Sequence, residues 1–168
     1  MLKHKEQRVG VFVDVQNMYY SAKNLHNAHV NFGKVLEDAV ADRKLIRAVA
    51  YVIRADNSEE QKFFDALANM GFEVREKELQ TFWSGTKKGD WDVGIAIDAI
   101  TMSPKLDVAV LVTGDGDFTP LVEFLQYSGV LVEIIAFKET ASARLISSAD
   151  DYFSLSDNAR RYLLSKAK

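Results

Sequence analysis

The sequence VAVLVTGDGDF, residues 108–118, joins an unbroken apolar run to a turn that contains two aspartates and two glycines. An apolar run without alternation is typical of a strand that is covered on both faces, as in parallel sheets. A second run of this kind, VGVFVDV at residues 9–15, also carries an acid near its end. The two stretches predict an α/β protein with a parallel sheet, and they put carboxylates at the ends of two strands.

The rest of the chain alternates between helical and strand patterns. Strands are predicted at residues 9–15, 45–53, 72–79, 108–113 and 130–137, with a small one at 152–155. Helices are predicted at residues 31–41, 58–70, 92–102, 117–127, 142–147 and 158–167, and a polar loop at 81–90. This order favours a mostly parallel sheet of five or six strands with crossover helices on both faces.

No linker, repeat or low-complexity stretch divides the chain. We therefore expect one domain over residues 1–168, with its core at about 8–155 and a C-terminal helix within 156–168. Hydrophobic residues make up 48% and charged residues 27%, as in ordinary globular proteins. The chain has no cysteine, which excludes disulfides and thiolate zinc sites and favours the cytoplasm. No apolar stretch is long enough to predict a membrane span, and we see no signal-peptide core.

Aspartates follow both of the decisive strands. Ligands of open α/β sheets sit beyond the carboxyl ends of strands, where the strand order reverses. If the two apolar strands are neighbours, Asp14, Asp115 and Asp117 converge there, and Asp92 can reach the same rim from the start of its helix. Crowded carboxylates repel one another unless a cation lies between them. Oxygen ligands without cysteine or a nearby histidine favour Mg²⁺ or Mn²⁺ over zinc.

Each of these aspartates also has a purely structural interpretation. Capping is the stronger interpretation for Asp92 taken alone, and it competes evenly with a site role for Asp117. Asp14 is harder to explain in this way, because a charge at the end of an apolar strand needs a reason to be buried. The glycines beside Asp115 suit a phosphate but also suit any tight turn. The set of four acids is therefore more informative than any one of them.

Several motifs, taken in their order, resemble one known family. They are Asp14-Val15-Gln16-Asn17, Lys88 with Asp92-Val93 and Asp98, TGDGDF at 113–118 with Pro120-Leu121, and Ser142, Leu145, Ala149-Asp150 and Phe153. From about residue 8 to residue 155, the chain resembles the NYN domain, and more narrowly the bacterial LabA/DUF88-type branch of the PIN-like nucleases. The resemblance implies a PIN-like Rossmannoid sheet, an acidic metal centre and ribonuclease chemistry.

The same resemblance implies roles for individual residues. The catalytic and metal-binding acids would be Asp14, Asp92, Asp115 and Asp117. Asn17 matches the family asparagine that follows the first acid, where its amide would orient Asp14 or contact a phosphate. Asp98 matches a family position too, but it lies about 240° around the helix from Asp92, so we expect a supporting role. The loop before Asp92 is one residue longer than the usual spacing, which leaves Asp90 as a competitor.

RNA is the expected partner, although the net charge of −3 argues against binding by bulk positive charge. The bases expected near the rim are Lys34, Arg54, Lys87, Lys88, Lys138 and Arg144, of which Lys87 and Lys88 are the predicted substrate-binding pair. Trp83 and Trp91 flank that pair, and exposed rings there would stack on unpaired bases. The preferred interpretation is a solvated loop with one or two of its rings packed into the core, because tryptophans are highly buried on average. Tyr19 and Tyr20 either border the cleft or begin the packed face of a helix.

Three functions compete at this point. The first is a metal-dependent endoribonuclease, and the second is an RNA-binding regulatory module of the same fold with little or no turnover. The third is a phosphoryl-transfer enzyme with Asp14 as nucleophile, which the lack of a second aspartate two residues later disfavours. No GxGxxG or GxxxxGK[ST] motif occurs, so a nucleotide cofactor is not expected. A homodimer through exposed aromatic side chains near Phe63, Phe64 or Tyr152 is left open.

Overall fold

The computed structural model describes residues 3–85 and 87–165, without the side chains of Lys87 and Lys88. The strands are β1 (Arg8–Asp14), β2 (Ala28–Val30), β3 (Lys44–Arg54), β4 (Glu73–Glu78), β5 (Gln80–Thr81), β6 (Lys87–Lys88), β7 (Val108–Val112), β8 (Leu131–Ala136), β9 (Asp151–Ser154) and β10 (Leu163–Ser165). The helices are α1 (Val15–His26), α2 (Phe32–Val40), α3 (Glu60–Asn69), α4 (Asp92–Met102), α5 (Thr119–Tyr127), α6 (Ala143–Ser148) and α7 (Ala159–Tyr162). Short 3-10 turns lie at Ser103–Lys105, Gly116–Phe118 and Leu155–Asn158.

Six strands form the central sheet in the order β4-β3-β1-β7-β8-β9, and each neighbouring pair is parallel. From β1 the chain moves outward through β3 to β4, and then returns to the other side of β1 to build β7, β8 and β9. The strand order therefore reverses between β1 and β7. The α/β class and the parallel sheet of six strands are confirmed, and so is the pairing of the two decisive strands.

Both faces of the sheet centre are covered. Five consecutive residues are buried in β1 and all five in β7, and successive side chains of a strand point to opposite faces. This explains why these strands have continuous rather than alternating apolar sequences. One continuous hydrophobic cluster joins the sheet to the helices around it. None of the described helices is long and apolar enough to span a membrane.

Helix α1 and strand β2 were not predicted from the sequence. The helix begins directly after β1, because the Asp14 side chain accepts a hydrogen bond from the backbone of Asn17 and caps the first turn. It ends at His26. The next residue, Asn27, adopts the left-handed conformation at φ 47°, which asparagine tolerates better than most residues. The short strand β2 then pairs antiparallel with β10.

The predicted C-terminal helix is wrong after Tyr162. Residues Leu163–Ser165 are extended as β10, because their backbone groups pair with β2, a tertiary contact that the helical sequence pattern does not reveal. The Arg161 side chain donates to Asp38 at 2.7 Å and anchors the short helix α7 on α2. Residues 166–168 lie outside the described part, and the limits of a single domain stay a prediction.

Two further expectations are corrected by packing. The aromatic patch proposed for dimerisation is not exposed: Phe64 is buried, and the half-buried Phe63 lies 6.0 Å from both Phe32 and Phe64, measured between ring centroids. Tyr152 is also half-buried, and its hydroxyl is inaccessible to solvent. The predicted loop at 81–90 contains a two-stranded ribbon, β5 paired antiparallel with β6.

Candidate metal centre

Asp14 lies at the switch point, where β1 ends and α1 begins. Its Oδ1 accepts from the Asn17 backbone N–H at 3.2 Å, and its Oδ2 accepts from the Thr113 hydroxyl at 3.1 Å. Burial is the main cause that raises the pKa of Asp14 to about 6. The two hydrogen bonds oppose this rise in pKa, and the charges of Asp115 and Asp90 add to it. The carboxylate is thus fixed in position but poorly stabilised in its ionised form.

The turn after β7 places the next two acids. The Asp115 backbone N–H donates to the Thr113 hydroxyl at 3.2 Å, and the Asp117 backbone N–H donates to Asp115 Oδ1 at 2.9 Å. Asp115, rather than Asp117, therefore caps the 3-10 turn that follows. The Gly114 backbone N–H donates to Asn17 Oδ1 at 3.0 Å. The side-chain amide of Asn17 thus ties this turn to α1, whereas its backbone N–H holds Asp14.

The two glycines of this turn permit a close approach to the segment before α6. A Cβ at Gly114 would lie 2.9 Å from the Cα of Ala141, and one at Gly116 would lie 2.8 Å from Ser142 Oγ. Ser142 in turn donates its backbone N–H to the Gly114 carbonyl at 2.9 Å. Glycine is required here by space, which is a more specific reason than turn formation.

Asp92 is the first residue of α4, and Trp91 occupies the capping position before it. The capping interpretation of Asp92 is therefore wrong. Its backbone N–H donates to Asp90 Oδ1 at 3.3 Å, so the competitor from the longer loop lies beside it. Burial, as the largest cause, and the charges of Asp115, Asp90 and Asp14 together raise the pKa of Asp92 to about 7.

Trp91 fixes the start of α4. Its indole N–H donates to the Val52 carbonyl at 2.8 Å, and its ring centroid lies 5.3 Å from that of Tyr51. A Cβ at Gly94 would approach the indole ring to 2.5 Å, so the ring crosses the first turn of the helix where only glycine leaves room. Asp92 is consequently held at a fixed place relative to β3.

The four acids converge. Carboxylate oxygens of Asp92, Asp115 and Asp117 lie within 4.8 Å of one another. Asp14, Asp92 and Asp115 line one cleft of about 480 Å³ together with Asp90, whereas Asp117 is exposed at its margin. Among the described side chains, which do not include those of Lys87 and Lys88, no lysine or arginine forms an ion pair with Asp14, Asp92 or Asp115. Oxygen donors at this spacing suit a hard divalent cation, so the residues present fit a metal ion of the Mg²⁺ type.

Asp98 lies elsewhere on α4 and has other partners. The Tyr51 hydroxyl donates to its carboxylate at 2.7 Å, and Arg75 of β4 donates to the same carboxylate. Burial and this carboxylate raise the pKa of Tyr51 well above its usual range. Asp98 is not among the acids whose oxygens meet near Asp92, as helix geometry led us to expect.

The predicted basic rim is largely neutralised within the chain. Lys34 pairs with Glu37, Arg54 with Glu76 and Lys138 with Asp157, whereas Arg144 is exposed. Lys87 and Lys88 form β6, but their side chains lie outside the described residues.

The two tryptophans differ. Trp83 is fully exposed beside the half-exposed Phe82. Trp91 is half-buried and its ring packs against the core, in agreement with the expectation that one or two rings of this loop are packed. Among the described residues of this loop, the exposed rings are therefore those of Trp83 and Phe82.

Sequence reasoning identified only part of the second wall of the cleft, since it named Asn17 as a site residue and left Tyr20 between the cleft and helix packing. Gln16, Asn17, Tyr20, Ser21, Asn24 and Thr140 line it together with the acids. Five of these residues belong to α1, the helix that was not predicted. The signal available in the sequence was the helical spacing of Asn17, Tyr20, Ser21 and Asn24.

A parallel sheet with this strand order and with acids gathered at its switch point places the chain in the PIN-like Rossmannoid class of folds. Residues 8–157 match the NYN domain, and the chain belongs to the NYN domain family. It is 27% identical over 162 residues to the low amplitude and bright protein LabA of Synechococcus elongatus, over 91% of this chain and 86% of that protein. A crystal structure of a protein of unknown function from Vibrio parahaemolyticus has a TM-score of 0.88 and 33% identity, over 98% of this chain and 100% of that chain. The expected LabA-like branch and PIN-like Rossmannoid fold are confirmed.

Proposed function

We propose that this protein is a ribonuclease that hydrolyses RNA phosphodiester bonds and depends on Mg²⁺ or Mn²⁺. The observation that carries the proposal is the convergence of four aspartates, without a described basic partner for Asp14, Asp92 or Asp115, at the strand switch point. Membership of the NYN family, which is a PIN-like nuclease family, supports RNA as the substrate. The cysteine-free sequence supports a cytoplasmic site of action.

The four acids would have different roles in the site, according to their positions. Asp92, Asp115 and Asp117 would hold a cation between their oxygens, and Asp14 would face it from the end of β1. A bound Mg²⁺ or Mn²⁺ lowers the pKa of a water ligand and offsets negative charge that develops on a phosphate. Asp14 and Asp92 release their protons when they act as ligands, because metal ligands must be deprotonated. Their raised pKa values therefore make cation binding pH-dependent.

The remaining contacts keep the acids in place during the reaction. Thr113 holds Asp14 and the Asp115 backbone from one side, and Asn17 ties the two segments together from α1. Such contacts to ligating carboxylates keep their geometry fixed and commonly affect metal affinity. The hydrolysis itself adds water across a P–O bond, with the phosphate held at the acidic end of the cleft.

A cleavage assay on labelled RNA tests this function. We expect cleavage with Mn²⁺ or Mg²⁺, none with EDTA, and loss of cleavage in Asp14→Asn and Asp115→Asn. Asp107→Asn is the matched control, because Asp107 lies before β7 and pairs with Arg8 at the other end of that strand. Cleavage that survives both site substitutions would place the activity elsewhere. RNA binding without any cleavage would instead identify the protein as a binding module.

A further inference from the structure

The cleft has two walls of different chemistry. One wall carries the acids, and the other carries uncharged polar side chains of α1, namely Asn17, Tyr20, Ser21 and Asn24. Their spacing of three, one and three residues puts them on one face of that helix. Thr140 joins them from the segment after β8, where its hydroxyl donates to Ser21 Oγ at 3.0 Å. We refer to these five residues as the α1 wall.

The α1 wall is poorly suited to bind phosphate. It contains no basic residue, and no lysine or arginine is among the described residues that line the cleft. Amides, hydroxyls and aromatic rings are instead the groups that proteins use for unpaired nucleosides, through contacts to base edges, contacts to the ribose and stacking. The cleft volume of about 480 Å³ lies within the range of small-molecule sites.

Several groups of this wall are available to a ligand. Tyr20 is 51% exposed, and its ring is braced edge-on by Tyr19 at 5.5 Å between centroids. The Asn24 side chain is exposed and makes no hydrogen bond to the described part of the chain. Asn17 uses its amide oxygen to accept from Gly114, so its amide N–H groups stay available as donors. A ring and two amides are thereby presented on one helix face beside the acids.

We propose that the α1 wall is a nucleoside subsite for single-stranded RNA, in which Tyr20 stacks on a base and the Asn17 and Asn24 amides contact its edge. The adjoining phosphate then lies toward the acids. This inference rests on the proposed function, because it names the part of the substrate that the same cleft holds. It also predicts a preference for single strands, since a base within a duplex cannot present its face to a tyrosine.

Binding of a short, fluorescently labelled single-stranded RNA tests the subsite. Anisotropy is measured with full-length protein in EDTA and in Ca²⁺, and the RNA is checked for cleavage on a gel. Tyr20→Ala should weaken binding about 5- to 100-fold, the size expected for loss of one stacked base, and Tyr20→Phe should bind like wild type. Asn24→Ala should weaken binding by a smaller factor. Tyr127→Ala is the matched control, because Tyr127 is an exposed tyrosine of α5 that does not line the cleft.

The outcomes separate this inference from the proposed function. Equal binding by Tyr20→Ala and wild type, or an equal loss in Tyr127→Ala, would overturn the subsite. Duplex RNA that binds as tightly as the single strand, or no RNA binding by wild type in either condition, would do the same. If RNA is never cleaved but Tyr20→Ala binds it weakly, the ribonuclease proposal fails and the subsite stands. If RNA is cleaved, Tyr20→Ala should raise KM and leave kcat nearly unchanged.

Discussion

Acidic side chains occur toward both ends of the sheet, but they have different partners. On the amino-terminal side of the sheet, Arg43 binds Glu133 at 2.7 and 3.0 Å in a buried ion pair, and Arg8 binds Asp107 at 3.1 Å. The hydrogen bonds from Arg8 hold the pKa of Asp107 below its usual value. At the carboxyl ends, burial instead raises the pKa of Asp14 to about 6. Arginine side chains of the same chain therefore pair with Glu133 and Asp107. No described lysine or arginine side chain pairs with Asp14.

This difference indicates what each group is for. An acid paired with an arginine of the same chain stabilises one arrangement of that chain. A half-buried acid without such a partner lowers the stability of the metal-free protein. The proposed cation would offset that cost. Substitutions in the two groups of acids, and in the residues that support them, either break this contrast or sharpen it.

The largest effect is expected for Asp92 compared with Asp98, two aspartates of the same helix. Asp92→Asn should lower metal-dependent RNA cleavage by roughly 10⁴-fold, the size of loss found when one member of a catalytic group is removed. Asp98→Asn should lower it far less, because Asp98 binds Arg75 and Tyr51 instead. Steady-state cleavage rates at saturating Mn²⁺ measure both variants. Equal losses would show that the contrast between paired and unpaired acids has no functional meaning.

The next effect concerns the buried pair at the other end. Arg43→Met leaves the buried Glu133 carboxylate with only the partly exposed Lys3 ammonium at 3.7 Å, and we expect a loss of about 3–5 kcal/mol in the free energy of unfolding. Urea denaturation measures it. The double change Arg43→Met with Glu133→Leu removes both charges and should recover most of that stability. A double variant as unstable as the single one would contradict this explanation.

Removing the charge of Asp14 should instead increase the free energy of unfolding of the metal-free protein. The pKa of Asp14 is about 6 in the folded chain, against an ordinary value of 3.8. An acid of this kind lowers the free energy of unfolding as pH rises between these two values, and the full decrease is present at higher pH. Asp14→Asn should therefore stabilise the metal-free protein at pH 8 by up to roughly 3 kcal/mol, since one pKa unit corresponds to about 1.4 kcal/mol. The gain should vanish near pH 4. Urea denaturation in EDTA at both pH values provides the test, and a variant less stable than wild type at pH 8 would refute it.

The smallest effect is expected at the residue that positions Asp92. Trp91→Phe removes the hydrogen bond to the Val52 carbonyl and should weaken Mn²⁺ affinity about 10-fold, as changes behind a metal ligand commonly do. Titration calorimetry measures the affinity, and Trp83→Phe is the matched control, since Trp83 is fully exposed. Equal affinity in both variants would remove Trp91 from this role.

The sheet and the acids were predictable because each depends on local sequence. The apolar runs that end at Asp14 and before Asp115 report burial on both faces, and parallel strands carry such residues to one edge. Helix α1 was not predicted because it follows β1 without a break, so Gln16, Ser21 and Asn24 were not recognised as residues of the cleft. The exposure of Trp83 and the ion pair of Arg54 with Glu76 depend on tertiary neighbours, which no single stretch of sequence specifies.

The buried hydroxyl of Thr113 has a consequence for which residues can replace it. The hydroxyl donates its one proton to Asp14 and accepts a hydrogen bond from the backbone N–H of Asp115. Valine has the same shape but neither function, so it would free the Asp14 carboxylate and the Asp115 backbone N–H at once, whereas serine keeps donor and acceptor together. Because one oxygen atom joins β1 to the turn after β7, the two halves of the sheet cannot slide apart without disturbing both acids together.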